Sequence, residues 1–181
     1  VIGPAGFITA WAAGAAVTSM PYSSVDDAIS RLAAVGADTR WLMTAGFVTF
    51  GLSLPAYAWA LRSVVPGRAW MTAAATGLAT LAVAATPLDR SDTVDRLHAV
   101  FAGLGYVTLA ATPLLAARPL LALGHRRLAH AGLVAGTTSA VALVLTTTDL
   151  PTGLFQRAGL TVTDAWIAAS ALAMATGSIR R

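Results

Sequence analysis

Apolar residues run through this chain in six blocks of about twenty, and polar residues gather in the turns between them. The blocks cover 2–20, 41–61, 69–86, 97–117, 128–147 and 158–179. A helix needs about twenty apolar residues to cross the hydrocarbon core of a bilayer. The pattern predicts an all-α polytopic membrane protein, with residues 1–181 forming one domain of six transmembrane helices in one bundle. The first block is expected to stay as a span, because no small-residue cleavage site and soluble body follow it.

The first polar turn is the longest and has a periodicity of its own. Pro21 ends the first block, and Ser24 with Asp27 three residues on resembles a capping box. Val25, Ile29 and Leu32 recur at helical spacing, with Asp26, Asp27, Ser30 and Arg31 on the other side and Gly36 as a stop. This predicts a short amphipathic helix lying on the outer interface, with Asp27 and Arg31 placed to pair. Within the blocks, small residues recur every four positions: Gly6, Ala10 and Gly14; Gly132 and Gly136; Ala165, Ala169, Ala173 and Gly177. Such ladders let helix backbones approach closely, inside one bundle or between copies.

Charge then orients the bundle. The chain has eight acidic residues, all Asp, and no Lys. Arg62, Arg68, Arg118, Arg126, Arg127, Arg180 and Arg181 occupy one set of turns and the tail. Asp26, Asp27, Asp38, Asp89, Asp92, Asp95 and Asp149 occupy the other set. Basic turns stay cytoplasmic. The expectation is a multi-pass protein of the bacterial plasma (inner) membrane, with both termini cytoplasmic and the acidic turns outside. Only 11% of residues are charged, against about one quarter in soluble domains. The net charge of +4 is accounted for by cytoplasmic Arg, and no basic cluster interleaves with aromatics, so nucleic acid is excluded as a partner.

Absent residue types remove whole chemistries. Without Cys there is no disulfide, thiolate metal site or Cys nucleophile. Without Lys there is no Schiff base or P-loop, and without Glu no HExxH zinc pattern. His98 stands at the acidic end of its span, while His125 and His130 stand at the basic end, roughly 25–30 Å away. No metal ion, haem or other cofactor is expected.

Several residues remain as candidates. Asp164 lies inside the last span, about 10 Å from its outer end. A carboxyl there marks either a site or an internal hydrogen bond, with Arg157 and His98 as its available partners. Ser30, His98 and Asp27 could form a catalytic triad, although no GxSxG elbow supports one. Asp89, Asp95, Gln156 and Arg157 are candidate binding residues at the same end. Arg157 is expected to pair with a carboxylate, Asp89 or Asp164, because a half-dehydrated guanidinium keeps its charge. Trp11 and Trp166 sit deeper than belt tryptophans and read as packing residues.

Three segments together resemble the six-span bacterial and archaeal family called domain of unknown function 998. They are Tyr22-Ser23 through Asp27, Ser30, Leu32 and Gly36 to Trp41-Leu42-Met43 and Gly46-Phe47; Thr86-Pro87-Leu88-Asp89 followed by His98; and Gly153-Leu154-Phe155-Gln156-Arg157. Members often carry two histidines three apart at the head of span four. This chain has Asp95 at the first of these positions and keeps only His98. The resemblance implies a six-span fold and no established activity, and it points to Asp27, Ser30, Asp89, His98, Gln156 and Arg157. Three readings stay open. The first is a non-catalytic accessory subunit of a larger membrane complex or a module binding membrane lipid. The second is a membrane-embedded hydrolase acting on lipid at the outer interface. The third is a small transporter using Asp164.

Overall fold

The computed structural model describes residues 1–179, so Arg180 and Arg181 lie outside the described residues. Six helices follow in order: α1 (Ile2–Val17), α2 (Arg40–Val64), α3 (Ala69–Ala85), α4 (Asp92–Ala122), α5 (Arg126–Leu145) and α6 (Thr152–Ala175). A one-turn 3-10 helix, Ile29–Ala33, interrupts the connection from α1 to α2. No strand occurs among the described residues. Each helix packs on its neighbours in sequence, and α6 also reaches α1, α2 and α4, which closes the bundle.

Four helices, α2, α4, α5 and α6, are long and apolar enough to cross a membrane; α1 and α3 are apolar but shorter. Large apolar side chains cover the outside, among them Trp41, Trp59, Leu78, Val100 and Val134. Such a surface would be costly in water and suits contact with lipid tails. The chain is a helical membrane bundle. α4 begins at Asp92, earlier than its apolar block, because the Ser91 side chain caps it by accepting the Val94 N–H at 3.3 Å. Its 31 residues make a rod about 46 Å long, so His98 falls in its second turn.

Close backbone approach joins the helices. A methyl group on Gly77 would stand 2.8 Å from the Gly51 carbonyl oxygen, so α2 and α3 touch where only glycine fits. Ala10 of the first small-residue ladder packs on Gly46 of α2, and Gly132 and Gly136 pack under Trp166 and Leu114. These two ladders serve packing within the bundle. In the third, Ala165 and Ala169 face outward.

The connection from α1 to α2 corrects an expectation. No amphipathic α-helix forms among residues 21–39. Its helical part is the five residues Ile29–Ala33, and Ile29, Leu32 and Ala33 are buried in the core. Val25 is exposed, so the spacing Val25, Ile29, Leu32 does not define one buried face. Local side chains win over helix here. The Asp27 carboxylate accepts the Ser23 N–H at 2.7 Å, and the Ser23 hydroxyl donates to Asp26 at 2.7 Å, closing a turn in place of a helical one. Arg31 does not pair with Asp27; it reaches Asp89 across the bundle at 3.3 Å.

Candidate functional site

The connections 18–39, 86–91 and 146–151 meet at one end of the bundle, here called the acidic end. The head of α6 organises it. Backbone hydrogen bonds run from Leu154 N–H to the Val25 carbonyl at 2.7 Å and from Gly153 N–H to the Asp26 carbonyl at 3.3 Å. A side chain on Gly153 would overlap the Asp27 carbonyl oxygen, so glycine lets the long connection rest directly on the helix. These contacts use N–H groups that a helix start leaves without intrahelical partners.

Gln156 and Arg157 follow on different faces. The Ile29 N–H donates to Gln156 Oε1 at 2.7 Å. Because an N–H can only donate, the amide orientation is fixed, and Gln156 Nε2 donates to the Tyr106 hydroxyl oxygen. Tyr106 therefore keeps its own proton to give elsewhere.

A cavity opens beside this network, with about 510 Å³ of unfilled space including its mouth. Its apolar wall is mainly aromatic: Phe7, Phe47, Phe50 and Phe101. Thr80 also borders it, but its hydroxyl donates to the Thr76 carbonyl of its own helix at 2.8 Å. At the polar end stand Ser30, His98, Tyr106 and Gln156. His98 Nδ1 lies 2.6 Å from the Thr86 carbonyl. A carbonyl only accepts, so Nδ1 carries a proton there and Nε2 is the free acceptor of the neutral ring. Nε2 is buried and has no partner among the described residues. No Asp or Arg lines this cavity.

Ser30 and His98 thus border one space, but Asp27 does not join them. Nδ1, the atom an orienting carboxylate would hold, is occupied by Thr86, and the Asp27 carboxylate serves Ser23. Of the three candidates for a triad, two share a cavity, and no hydrogen bond links the Ser30 hydroxyl to His98 Nε2.

Arg157 corrects a second expectation. It pairs with neither Asp89 nor Asp164. Its guanidinium donates to the carbonyls of Asp27 at 3.0 Å and Gly153 at 2.9 Å, and to the Tyr22 hydroxyl. It also lies over the rings of Trp11 and Tyr22, at 5.4 and 5.6 Å from their centroids. Carbonyl dipoles and ring faces replace the carboxylate, which a guanidinium fork accepts more readily than a compact ammonium would. Burial raises the Tyr22 phenol above its ordinary range, while Arg157 beside it pulls the other way. The aromatic seat for Arg157 is not legible in the sequence; Trp11 and Tyr22 lie in α1 and in the long connection, and no spacing rule joins them to residue 157.

Asp164, two turns deeper on the Arg157 side of α6, is 1% exposed, and no donor reaches either carboxyl oxygen. Neither Arg157 nor His98 meets it, and it does not line the cavity. Asp89 and Asp95 build the turn before α4. Asp89 has a left-handed backbone, φ 63°, and its N–H donates to Asp95 Oδ1 at 3.0 Å. Its ion pair with Arg31 is about half exposed and so adds under about 1 kcal/mol. His125 and His130 lie at the opposite end, His125 before α5 and His130 in its first turns.

Residues 1–173 match the model of the family described as Protein of unknown function (DUF998), and the chain belongs to that family. No curated protein and no solved structure matches it significantly.

Proposed function

We propose that this family member is a non-catalytic membrane module that holds one lipid-like molecule in the cavity at its acidic end. The cavity carries the reading: it joins a phenylalanine-lined chamber to a small set of unspent polar groups, within a bundle coated by apolar side chains. Ligand sites are commonly concave, mostly apolar, and carry a few polar groups that fix orientation. In the proposed arrangement all six helices cross the plasma membrane, the acidic end faces outward, and the termini are cytoplasmic, as the Arg asymmetry of the turns favours.

Protein purified in mild detergent should retain lipid at one molecule per chain, read by native mass spectrometry. Ala102→Leu, which fills the cavity, should abolish that retention while the protein stays folded. Equal retention in both proteins would overturn the cavity as the binding site. For the orientation, Thr148→Cys should label from outside intact cells and Pro66→Cys should not; the reverse pattern would invert it.

The shared cavity of Ser30 and His98 favours one second reading, a hydrolase acting on a bound lipid ester. It requires the Ser30 hydroxyl to swing to His98 Nε2 when substrate enters. A fluorophosphonate should then label the protein, and Ser30→Ala should abolish the label. Absence of labelling in the folded wild-type protein would remove this reading.

A further inference from the structure

We infer that the cavity selects an uncharged, hydroxyl-headed amphiphile and that His98 Nε2 is the atom that accepts a hydrogen bond from its hydroxyl. This rests on the cavity being a lipid site, and it names the ligand class.

The polar end has a definite donor and acceptor content. Thr86 holds the proton of His98 on Nδ1, leaving Nε2 as a buried acceptor with no partner. Ile29 fixes the Gln156 amide, Gln156 donates to Tyr106, and the Tyr106 proton is left to give. Ser30 makes no side-chain hydrogen bond among the described residues and can do either. One acceptor and one donor beside an adaptable hydroxyl match an alcohol, which gives one proton and takes another. A buried group left without its partner is costly, so a ligand that supplies both bonds gains over one that supplies neither.

Charged heads fit less well. No Arg or Lys lines the cavity to meet a carboxylate or phosphate, and Arg157 turns instead to Tyr22 and two carbonyls. No Asp lines it to meet an ammonium. Taking an ion out of water into a chamber without a counter-charge is strongly disfavoured. The four phenylalanines offer an alkyl tail an apolar wall.

The test titrates detergent-solubilised full-length protein with hexadecanol, hexadecanoate at pH 8 and hexadecyltrimethylammonium, following bound ligand by native mass spectrometry. Hexadecanol should bind one per chain, at least tenfold tighter than either ion. His98→Asn can still donate to the Thr86 carbonyl but has no equivalent of Nε2, so it should stay folded and lose about five- to tenfold in hexadecanol affinity. Ala102→Leu should bind none of the three. If no probe binds the wild-type protein, the lipid-site reading falls. If an ion binds as tightly as the alcohol and Ala102→Leu blocks it, that reading stands and the ligand class is overturned. Unchanged hexadecanol affinity in His98→Asn would remove the role given to His98.

Discussion

On one side of the head of α6, Arg157 faces the long connection and donates from its terminal nitrogens to two carbonyls and a phenol, between two aromatic rings. On the other side, Gln156 faces a cavity where Tyr106 keeps a spare proton and His98 a spare lone pair. Both sides use buried polar residues at the same depth. The difference lies in what borders free space. Around Arg157 the protein supplies partners to the two terminal guanidinium nitrogens while Arg157 Nε and Trp11 Nε1 stay buried without one, and the arrangement holds the connection onto the helix. Around Gln156 and His98 the partners run out at the edge of free space, which is the condition a ligand can relieve. Asp164 is a third case, with unmet hydrogen-bonding capacity and no place in the lining of that cavity.

If Arg157 is the clasp, its removal should have the largest effect. Arg157→Ala should lower stability by about 3 kcal/mol, because charge-assisted bonds to two carbonyls and a phenol disappear together. Arg157→Lys should recover little, since an ammonium cannot reproduce the fork and the ring stacking. Thermal unfolding in detergent reads both. A double-mutant cycle with Asp89→Asn should be additive within about 0.5 kcal/mol; a large coupling would restore the carboxylate partner that the geometry denies.

Asp164 sharpens the contrast in the opposite direction. Asp164→Leu should leave stability unchanged or raise it by about 1–3 kcal/mol, because it removes buried polar atoms that bond to nothing. A clear loss in Tm would mean that water or a partner serves this carboxyl. Lipid retention in the cavity should not change.

Gln156→Leu should cost about 1–2 kcal/mol, since it strands the buried Ile29 N–H, and should loosen the cavity roof that Ile29 and Ser30 form. Hydrogen exchange at the Ile29 amide should rise, while the Arg157 clasp keeps exchange slow at Leu154. Equal acceleration at both would show that the two sides act as one unit.

The smallest effect concerns Asp38, fully at the surface. Hydrogen bonds from the Ser19 backbone and side chain, with Thr18, hold its carboxyl at about 2, below the usual 3.8. A folded-state value below the unfolded one gives stability that is present above about pH 4 and lost as pH falls through about 2. Asp38→Asn should flatten the stability profile in that window and leave Tm near neutral pH little changed. An unaltered acid profile would mean the Ser19 contact is not kept in solution.

Hydrophobic blocks and turns carried most of the fold, because a bilayer-coated helix bundle imposes its lengths on each segment independently. That is why six helices, their alternation and the gathering of Asp27, Ser30, His98, Gln156 and Arg157 at one end were legible residue by residue. The long connection was not legible. Its Val25, Ile29, Leu32 spacing matches a helix, but Ser23, Asp26 and Asp27 close a turn, and only the floor offered by α6 and the core decides which wins. The partner of Arg157 was also beyond the sequence. Charge rules name carboxylates, whereas the bundle brings up Trp11, Tyr22 and two carbonyls from distant positions. The cavity itself is a product of tertiary packing alone: it exists because six segments of the chain fail to fill one volume, and no local pattern encodes a space that side chains leave empty.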